Sequence, residues 1–449
     1  MEPRYYNLNP SQEVVRMQTL FTLFKRVVNI LFSLTFEDGF DRKLMTDAIN
    51  ILIERNDCLR IRFVKKDGKT MQFFETERKV GPVPEKTFTS FKAFDKFLER
   101  WSHGATNIFK GDVLRPMFVT DPEGKQLVCF KISHFVADDF AIGVLVNDLV
   151  GIYKSLKEGT PMPPAPTSFE NVLAKNDAYL TSEEELQKDR EYWNSFYTEK
   201  HPEHPVYQGL HGNRSDFWQK SLRKGNFSIP YLFVRCDTRG YRFRIPASVG
   251  KRVMEWSAGQ NIPPASFFFF SYALTCSLIN GRKPYTMPLM LLSSRATVSE
   301  RKCGGTMVQS IGLYTVVDYE KSFNDNVALM YAEQNEQYRH TKLKYTELND
   351  MQHKVWGHSM LSQTSSFCFS YIPFLNTPGV ELQLYSNRKG ALPAYVALMH
   401  DTVSGEIEVV YDVQTVMLTP EQLIDFQSEL VHNIETVLDN PGSKLSELF

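Results

Sequence analysis

The sequence predicts an α/β protein built from two parts of domain size, and three observations carry this prediction. A chain of 449 residues is longer than one hydrophobic core usually organises. Apolar runs of strand length alternate with apolar patterns of helical spacing along most of the chain. The stretch 159–166 contains four prolines and has the composition of a linker. We therefore expect two domains, 1–165 and 166–449, with similar strand–helix alternation and no close sequence repeat.

The first part alternates helices with strands. Strands are predicted where apolar runs are short or alternate with charged residues, and helices where apolar residues recur every three to four positions. Pro10 and Ser11 suit the start of the first helix. In chain order we expect a helix over 8–24, a strand over 27–36, a helix over 40–54, a strand over 59–63, a helix over 87–101, a strand over 126–133 and a helix over 142–156.

The second part repeats this alternation and ends in a helix with a clear start signal. Thr419, Pro420 and Gln422 give a capping box with proline at the first helical position. The helix should end at the Asn-Pro-Gly turn over 440–442. In order we expect a long polar helix over 169–197, a strand over 241–245, helices starting at Ala247 and Ile262, strands over 286–292 and 406–411, and a helix over 419–438.

Composition excludes several classes of function. A formal net charge of −1 argues against general affinity for nucleic acid or anionic membranes. The six cysteines are scattered without a CxxC pair, which favours a reducing cytoplasm. The longest apolar run, 265–279, is too short to span a bilayer. We expect a soluble cytoplasmic monomer without a membrane span.

No metal site is expected. His201 and His204 lie among prolines without further ligands, which favours a loop. His340 is expected on a helix surface.

The most informative local feature is a histidine at the end of a predicted strand. The apolar run 126–133 leads into His134, and Asp138 follows four residues later at the start of an amphipathic helix. A side chain at a strand end can face a cleft, whereas one within the strand packs in the core. His134 is therefore the first candidate for chemistry in this chain.

The stretch Ser133-His134-Phe-Val-Ala-Asp138-Asp139 resembles the HHxxxDG signature of nonribosomal-peptide condensation domains, which share the chloramphenicol acetyltransferase fold. Further stretches resemble other segments of that family and follow its order over nearly the whole chain. They are 8–12 for the opening S-x-x-Q segment, 55–63 for RHExLRTxF, 189–193 for the "YW" helix, 292–310 for "GR … VGxFVNT" and 340–348 for HQDxPFExL.

The resemblance implies a fold and a reaction. The fold would be two chloramphenicol-acetyltransferase-like lobes, each a mixed sheet with helices, arranged as a V-shaped pseudo-dimer with the active site in a tunnel. The reaction would move an acyl or aminoacyl group from a phosphopantetheine thioester on a carrier protein to a small-molecule amine, with no bound cofactor. The chain has no adenylation-type glycine-rich loop and no carrier-domain serine motif. We therefore expect a free-standing enzyme that acts in trans with carrier proteins in nonribosomal peptide or lipopeptide-like biosynthesis.

The resemblance also assigns roles to residues. His134 takes the position of the catalytic histidine, and Asp138 would pair with Arg295 from the second lobe to hold the histidine loop. Four positions differ from the family pattern: Ser133 replaces the first histidine, Asp139 the glycine, Ala141 a serine and Gln309 an asparagine. Three of them, Ser133, Asp139 and Gln309, are possible substrate contacts.

The chemistry needs few protein groups because a thioester is already activated. Holding donor and acceptor together can contribute roughly 7–11 kcal/mol, and an imidazole with a reference pKa of about 6.5 can accept the proton of the attacking group. The sequence leaves open whether His134 acts as a base or orients the nucleophile. Two alternatives also stay open: an acyl-CoA-dependent O-acyltransferase that forms an ester, and a non-catalytic relative that binds carrier proteins.

Overall fold

The computed structural model describes most of the chain. The described residues are 3–21, 28–104, 106–111, 113–210, 227–228, 237–357, 362–363, 365, 367–373, 379–386, 388–390, 392–415 and 417–449. Two predicted boundaries lie outside these ranges: the end of the first helix at residue 24 and the start of the next strand at residue 27.

Strands and helices alternate as an α/β protein requires, which confirms the predicted class. The strands are β1 (Tyr6–Asn7), β2 (Asn29–Phe36), β3 (Ile61–Lys66), β4 (Lys69–Phe74), β5 (Glu85–Thr87), β6 (Leu114–Thr120), β7 (Gln126–Ser133), β8 (Phe227–Ser228), β9 (Thr238–Ile245), β10 (Tyr285–Thr286), β11 (Leu289–Ser293), β12 (Val308–Gly312), β13 (Thr315–Val316), β14 (Ser362–Gln363), β15 (Cys368–Pro373), β16 (Val380–Tyr385), β17 (Ala394–His400) and β18 (Ile407–Gln414). The helices are α1 (Pro10–Phe21), α2 (Arg42–Arg55), α3 (Phe91–His103), α4 (Asp139–Glu158), α5 (Glu170–Thr181), α6 (Glu183–Ser195), α7 (Ala247–Gln260), α8 (Pro264–Ile279), α9 (Val298–Arg301), α10 (Phe323–Arg339), α11 (Tyr345–Trp356), α12 (Pro420–Asp439) and α13 (Leu445–Leu448).

Two compact units divide the chain, and neither is continuous in sequence. The first contains Met1–Leu186, Ser293–Val308 and Asn376–Asn387, and the second contains Gln187–Leu292, Gln309–Leu375 and Arg388–Phe449. The predicted boundary after residue 165 therefore lies inside the first unit. Two short segments of the C-terminal half also belong to that unit.

The first unit is organised around a five-stranded sheet with the order β16-β2-β7-β6-β5. The central strand β7 pairs antiparallel with β2 and with β6. Every residue of β7 except Gln126 is buried, as expected of a strand covered on both faces. Helices α2 and α4 contribute apolar faces to the same core. The C-terminal end of β7, where His134 follows, is thus fixed by two neighbouring strands and a packed core.

The second unit contains a six-stranded sheet with the order β12-β11-β15-β17-β18-β9. Its core includes α8, whose residues from Ser266 to Ser277 are all buried. Among the described residues, no single helix is long and apolar enough to cross a membrane, and one bent pair, α7 with α8, meets the length and composition criteria.

Most predicted elements are present with shifted ends, and the strand over 126–133 and the capping box of the last helix are confirmed. The prediction of one long polar helix was wrong: this stretch forms two helices, α5 and α6, separated at Ser182. Ser182 has extended backbone dihedrals, and its Oγ accepts a hydrogen bond from the backbone N–H of Glu185 at 3.4 Å. A serine in this conformation starts a new helix instead of continuing the previous one.

Candidate active site

His134 lies in a turn directly after β7. Its backbone N–H donates to the carbonyl of Val28 at 2.8 Å, and the turn is closed by the N–H of Val136 donating to the carbonyl of Ser133 at 3.0 Å. The side chain is half-buried. Its Nδ1 is buried and has no hydrogen-bond partner among the described residues. Buried polar atoms are usually paired, so the unpaired Nδ1 distinguishes His134 from a histidine that is fixed by hydrogen bonds in a core.

Asp138 is the N-terminal cap of α4 and is almost fully buried. Its Oδ1 accepts from the backbone N–H of Ala141 at 2.8 Å. Its Oδ2 accepts from Arg295 Nη1 at 3.0 Å and from the backbone N–H of Met307 at 2.7 Å. Both carboxylate oxygens are therefore occupied by donors other than the His134 imidazole, and Asp138 does not form the carboxylate–imidazole pair of a catalytic triad.

The predicted ion pair of Asp138 with Arg295 is present and buried, with side-chain exposures of 2% and 1%. A buried pair is favourable only when its remaining donors and acceptors are satisfied. Arg295 meets part of this need by donating to Ser293 Oγ at 3.1 Å and to the carbonyl of Gly305 at 2.7 Å, while its buried Nε has no partner among the described residues. The ring of Phe140, 4.7 Å from the guanidinium carbon, covers the pair.

The segment that carries Arg295 belongs to the first unit, which differs from the expectation that Arg295 comes from the second lobe. Backbone pairing explains this assignment. Ala137 bridges Gly305, and Thr167 bridges Cys303. The ion pair is thus a contact inside the first unit, and it fixes the segment 293–308 to the loop that carries His134.

Ser133 and Asp139 flank these residues, and their surroundings are different. The Ser133 side chain is buried and accepts from the backbone N–H of Phe135 at 3.4 Å, which supports the turn. Asp139 is half-buried in the first turn of α4. A carboxylate is favourable there because it faces the positive end of the helix dipole. Its backbone is helical, so no positive φ has to be accommodated at this position.

Gln309 is a half-buried residue of β12 in the second unit. The structure therefore brings together His134, Asp138, Arg295, Ser133 and Asp139 within the first unit. Within the described ranges, no three His, Cys, Asp or Glu side chains are grouped as metal ligands.

Sequence reasoning missed two residues that hold the segments around His134. Gln12 Nε2 donates to the carbonyl of Phe135, the residue after His134, at 3.0 Å. Asn9 Nδ2 donates to the carbonyl of Thr306 at 2.8 Å. In the sequence, the opening segment 8–12 is informative only through its family resemblance. Its contacts join residues more than 100 positions apart, and no local pattern indicates such pairing.

Comparison with known proteins identifies a family and a fold. The family model "Condensation domain" matches residues 3–449. A plipastatin synthase polypeptide of Bacillus subtilis (strain 168) is 23% identical over 465 residues, which cover 100% of this chain and 17% of that protein. The chain thus spans about a sixth of this relative's length.

Solved structures show the same fold. The condensation domain from monacolin K polyketide synthase has a TM-score of 0.79 at 14% identity, with 98% of this chain and 99% of that chain covered. The starter condensation domain of rhizomide synthetase, in complex with C8-CoA, has a TM-score of 0.79 at 13% identity, with 99% and 97% covered. Condensation domains have the chloramphenicol-acetyltransferase-like fold, so that prediction is confirmed. Over residues 3–449, this chain belongs to the condensation-domain family.

Proposed function

We propose that the protein transfers an acyl or aminoacyl group from a phosphopantetheine thioester on a carrier protein to an amine and so forms an amide. The observation that carries this proposal is the position of His134. It lies at the end of a central buried strand, in a turn held by backbone hydrogen bonds, with one ring nitrogen unpaired among the described residues. The family of acyl- and amide-forming transferases to which the chain belongs supports the same reaction.

The proposed reaction replaces a C–S bond by a C–N bond and moves one proton from nitrogen to sulfur. The amine nitrogen attacks the thioester carbonyl carbon, the C–N bond forms and the C–S bond breaks. The proton lost by the amine is taken up, through the imidazole of His134, by the departing thiolate. An imidazole can both accept and donate a proton, so His134 can take up this proton and pass it on in one cycle.

The surroundings of His134 favour a single imidazole over a triad. The carboxylate of Asp138 is already bound to Arg295, Ala141 and Met307. It therefore holds the loop and does not polarise the ring. In this scheme the backbone of the turn orients His134, and rate depends mainly on how closely donor and acceptor approach the reacting geometry.

A second candidate is transfer from acyl-CoA to a hydroxyl group, which would form an ester. One observation favours it: the rhizomide synthetase starter domain, which shares this fold, is described in complex with C8-CoA. CoA carries the same phosphopantetheine thioester as a loaded carrier protein, so the same imidazole could serve either donor.

The test is a transfer assay with separate donors and acceptors. A carrier protein is loaded with a labelled acyl group, candidate amines are added, and the product mass is followed. Parallel reactions use acyl-CoA, and others use alcohols. The variants are His134→Ala and a matched control, His432→Ala, because His432 is an exposed histidine of α12 in the second unit.

We expect amide product from the loaded carrier, a loss of about 10²–10⁴-fold in kcat for His134→Ala and no change for His432→Ala. Ester formation from acyl-CoA without a carrier would favour the second candidate. Carrier binding without any transfer would favour a non-catalytic relative. If His134→Ala turned over as fast as the parent, the catalytic assignment would be wrong.

A further inference from the structure

The side-chain amide of Gln12 makes all four of the hydrogen bonds that an amide can make. Its Nε2 donates to the carbonyl of Phe135 at 3.0 Å and to Gln72 Oε1 at 2.8 Å. Its Oε1 accepts from the backbone N–H of Asn9 at 3.0 Å and from Gln72 Nε2 at 2.7 Å. The side chain has no exposed surface. A buried amide with every donor and acceptor satisfied has only one favourable orientation.

These bonds join three separate segments of the first unit. Gln12 is in the first turn of α1, where Asn9 and Gln12 cap each other reciprocally: the backbone N–H of Gln12 also donates to Asn9 Oδ1 at 2.8 Å. Gln72 is in β4 and donates to the carbonyl of Asn7. The third segment is the turn after β7, reached through the Phe135 carbonyl. The start of α1 is thus hydrogen-bonded to the backbone next to His134.

The same cap holds the other side of the site. Asn9 Nδ2 donates to the carbonyl of Thr306 at 2.8 Å. The next residue, Met307, donates its backbone N–H to Asp138 Oδ2 at 2.7 Å. One reciprocal cap therefore contacts the turn that carries His134 and the segment that carries Arg295.

We propose that Gln12 is a positioning residue for His134, acting through its hydrogen bond to the Phe135 carbonyl. This inference rests on the proposed role of His134 in acyl transfer. The carbonyl belongs to the residue that follows His134, so a rotation of that peptide moves the backbone that sets the imidazole. A displacement of about 1 Å at a reacting group can cost on the order of 10²-fold in rate. Glutamine fits this position because it is long enough to cap α1 and also carries an N–H donor, which glutamate and methionine lack.

The experiment compares Gln12→Met with a matched control, Gln72→Met. Both substitutions remove the reciprocal Gln12–Gln72 amide pair from the same buried network, so both lower stability. Only Gln12→Met removes the donor to Phe135. With all proteins kept below their unfolding transitions, we expect kcat to fall about 10–100-fold in Gln12→Met with KM nearly unchanged, and to stay within about threefold of the parent in Gln72→Met.

A second variant, Gln12→Glu, covers the case in which Gln12→Met does not fold. Glutamate is also a capping-box residue at this helix position, so the bond from the Asn9 N–H is kept while the donor to Phe135 is lost. The introduced carboxylate would regain an O–H donor on protonation. We therefore expect its kcat relative to the parent to rise as the pH is lowered, which a purely structural role of Gln12 would not produce.

A readout independent of activity separates this inference from the proposed function. The ring signals of His134 in ¹⁵N-histidine-labelled protein are assigned by their loss in His134→Ala. We expect them to broaden or split in Gln12→Met and in Gln12→Glu at neutral pH, and to match the parent in Gln72→Met. An inactive parent with this pattern would overturn the proposed function and leave the positioning role of Gln12 supported. Unchanged ring signals in the Gln12 variants, or equal kcat losses in Gln12→Met and Gln72→Met, would overturn the positioning role.

Discussion

At the scale of single residues, the site separates two residues that look equivalent in sequence. His134 and Asp138 are four positions apart, and each could take part in proton transfer. The structure gives Asp138 three donors, from Arg295, Met307 and Ala141. It leaves Nδ1 of His134 without a partner among the described residues. The carboxylate of Asp138 therefore has a structural role, and His134 is the residue to which we assign the chemistry of the proposed reaction.

Removing Arg295 should be costly because it leaves Asp138 charged and buried. We expect Arg295→Ala to lower the free energy of unfolding by about 3–5 kcal/mol. The matched control is Arg252→Ala, which removes the exposed pair with Asp439 and should cost at most about 1 kcal/mol. Denaturant unfolding measures both. Similar small losses in the two variants would show that the Asp138–Arg295 pair does not stabilise the fold.

At the scale of elements, close packing between segments decides where glycine is required. Gly305 has a φ of +89°, and a Cβ added there would lie 2.3 Å from a ring carbon of Phe169, which is fully buried. Its carbonyl also accepts from Arg295. The segment 293–308, which carries Arg295, can therefore pack against Phe169 in this conformation only because residue 305 has no side chain.

We expect Gly305→Ala to destabilise the protein more than Gly124→Ala does. Gly124 has a similar φ of +84° with nothing within 4 Å of an added Cβ, so that variant carries the backbone strain without the clash. The difference in unfolding free energy should be about 1–3 kcal/mol, the typical cost of overpacking. Equal losses in thermal or denaturant unfolding would mean that the Phe169 ring moves aside at no cost.

The residue that ends helix α10 in the second unit is a histidine whose surroundings differ from the sequence-based expectation. His340 was expected on a helix surface, but it is buried, with Nδ1 2.8 Å from Asp189 Oδ1 and its ring stacked on Tyr192. The carbonyl of His340 also accepts from the Trp193 indole at 2.8 Å. These partners lie about 150 positions earlier in the chain. The local sequence around His340 is polar, which is why it suggested exposure.

At the scale of the whole molecule, acid sensitivity should include a contribution from His400 in β17. The side chain is fully buried, and its Nδ1 is 2.9 Å from the Tyr371 hydroxyl. Burial lowers the pKa of His400 below its usual 6.5, against the opposing effect of Asp401. Below pH 6.5 the unfolded chain therefore binds a proton that the folded protein does not, and stability falls as the pH drops from 6.5 toward the folded pKa.

The measurement is the melting temperature of the parent and of His400→Gln between about pH 8 and pH 5, on either side of the reference histidine pKa. We expect the parent to lose stability below pH 6.5 more steeply than the variant, which has no titrating group at this position. The side-chain oxygen of glutamine can still accept a hydrogen bond from the Tyr371 hydroxyl. The comparison therefore isolates the effect of a charge at position 400. Parallel curves for the two proteins would assign the acid sensitivity to other groups.

Local features of the fold could be predicted from the sequence because they depend on neighbours along the chain. The strand over 126–133 is a short apolar run, and the last helix begins at Thr419 with a proline and a capping glutamine. The histidine at the end of that strand and the acidic cap four residues later were also evident. The role of Arg295 as the partner of Asp138 was available only through family resemblance.

Contacts between distant segments were decided by the tertiary structure alone. β16 joins the first unit by pairing with β2, about 350 residues away in sequence, and the segment 293–308 joins it through Ala137 and Thr167. Gln12 meets Phe135 in the same way. Local sequence patterns were enough to predict the α/β class, most local elements and the candidate histidine. Which segments surround that histidine depends on strand pairing and buried hydrogen bonds, whose partners are chosen by packing of the whole chain and leave no periodic signal in the sequence.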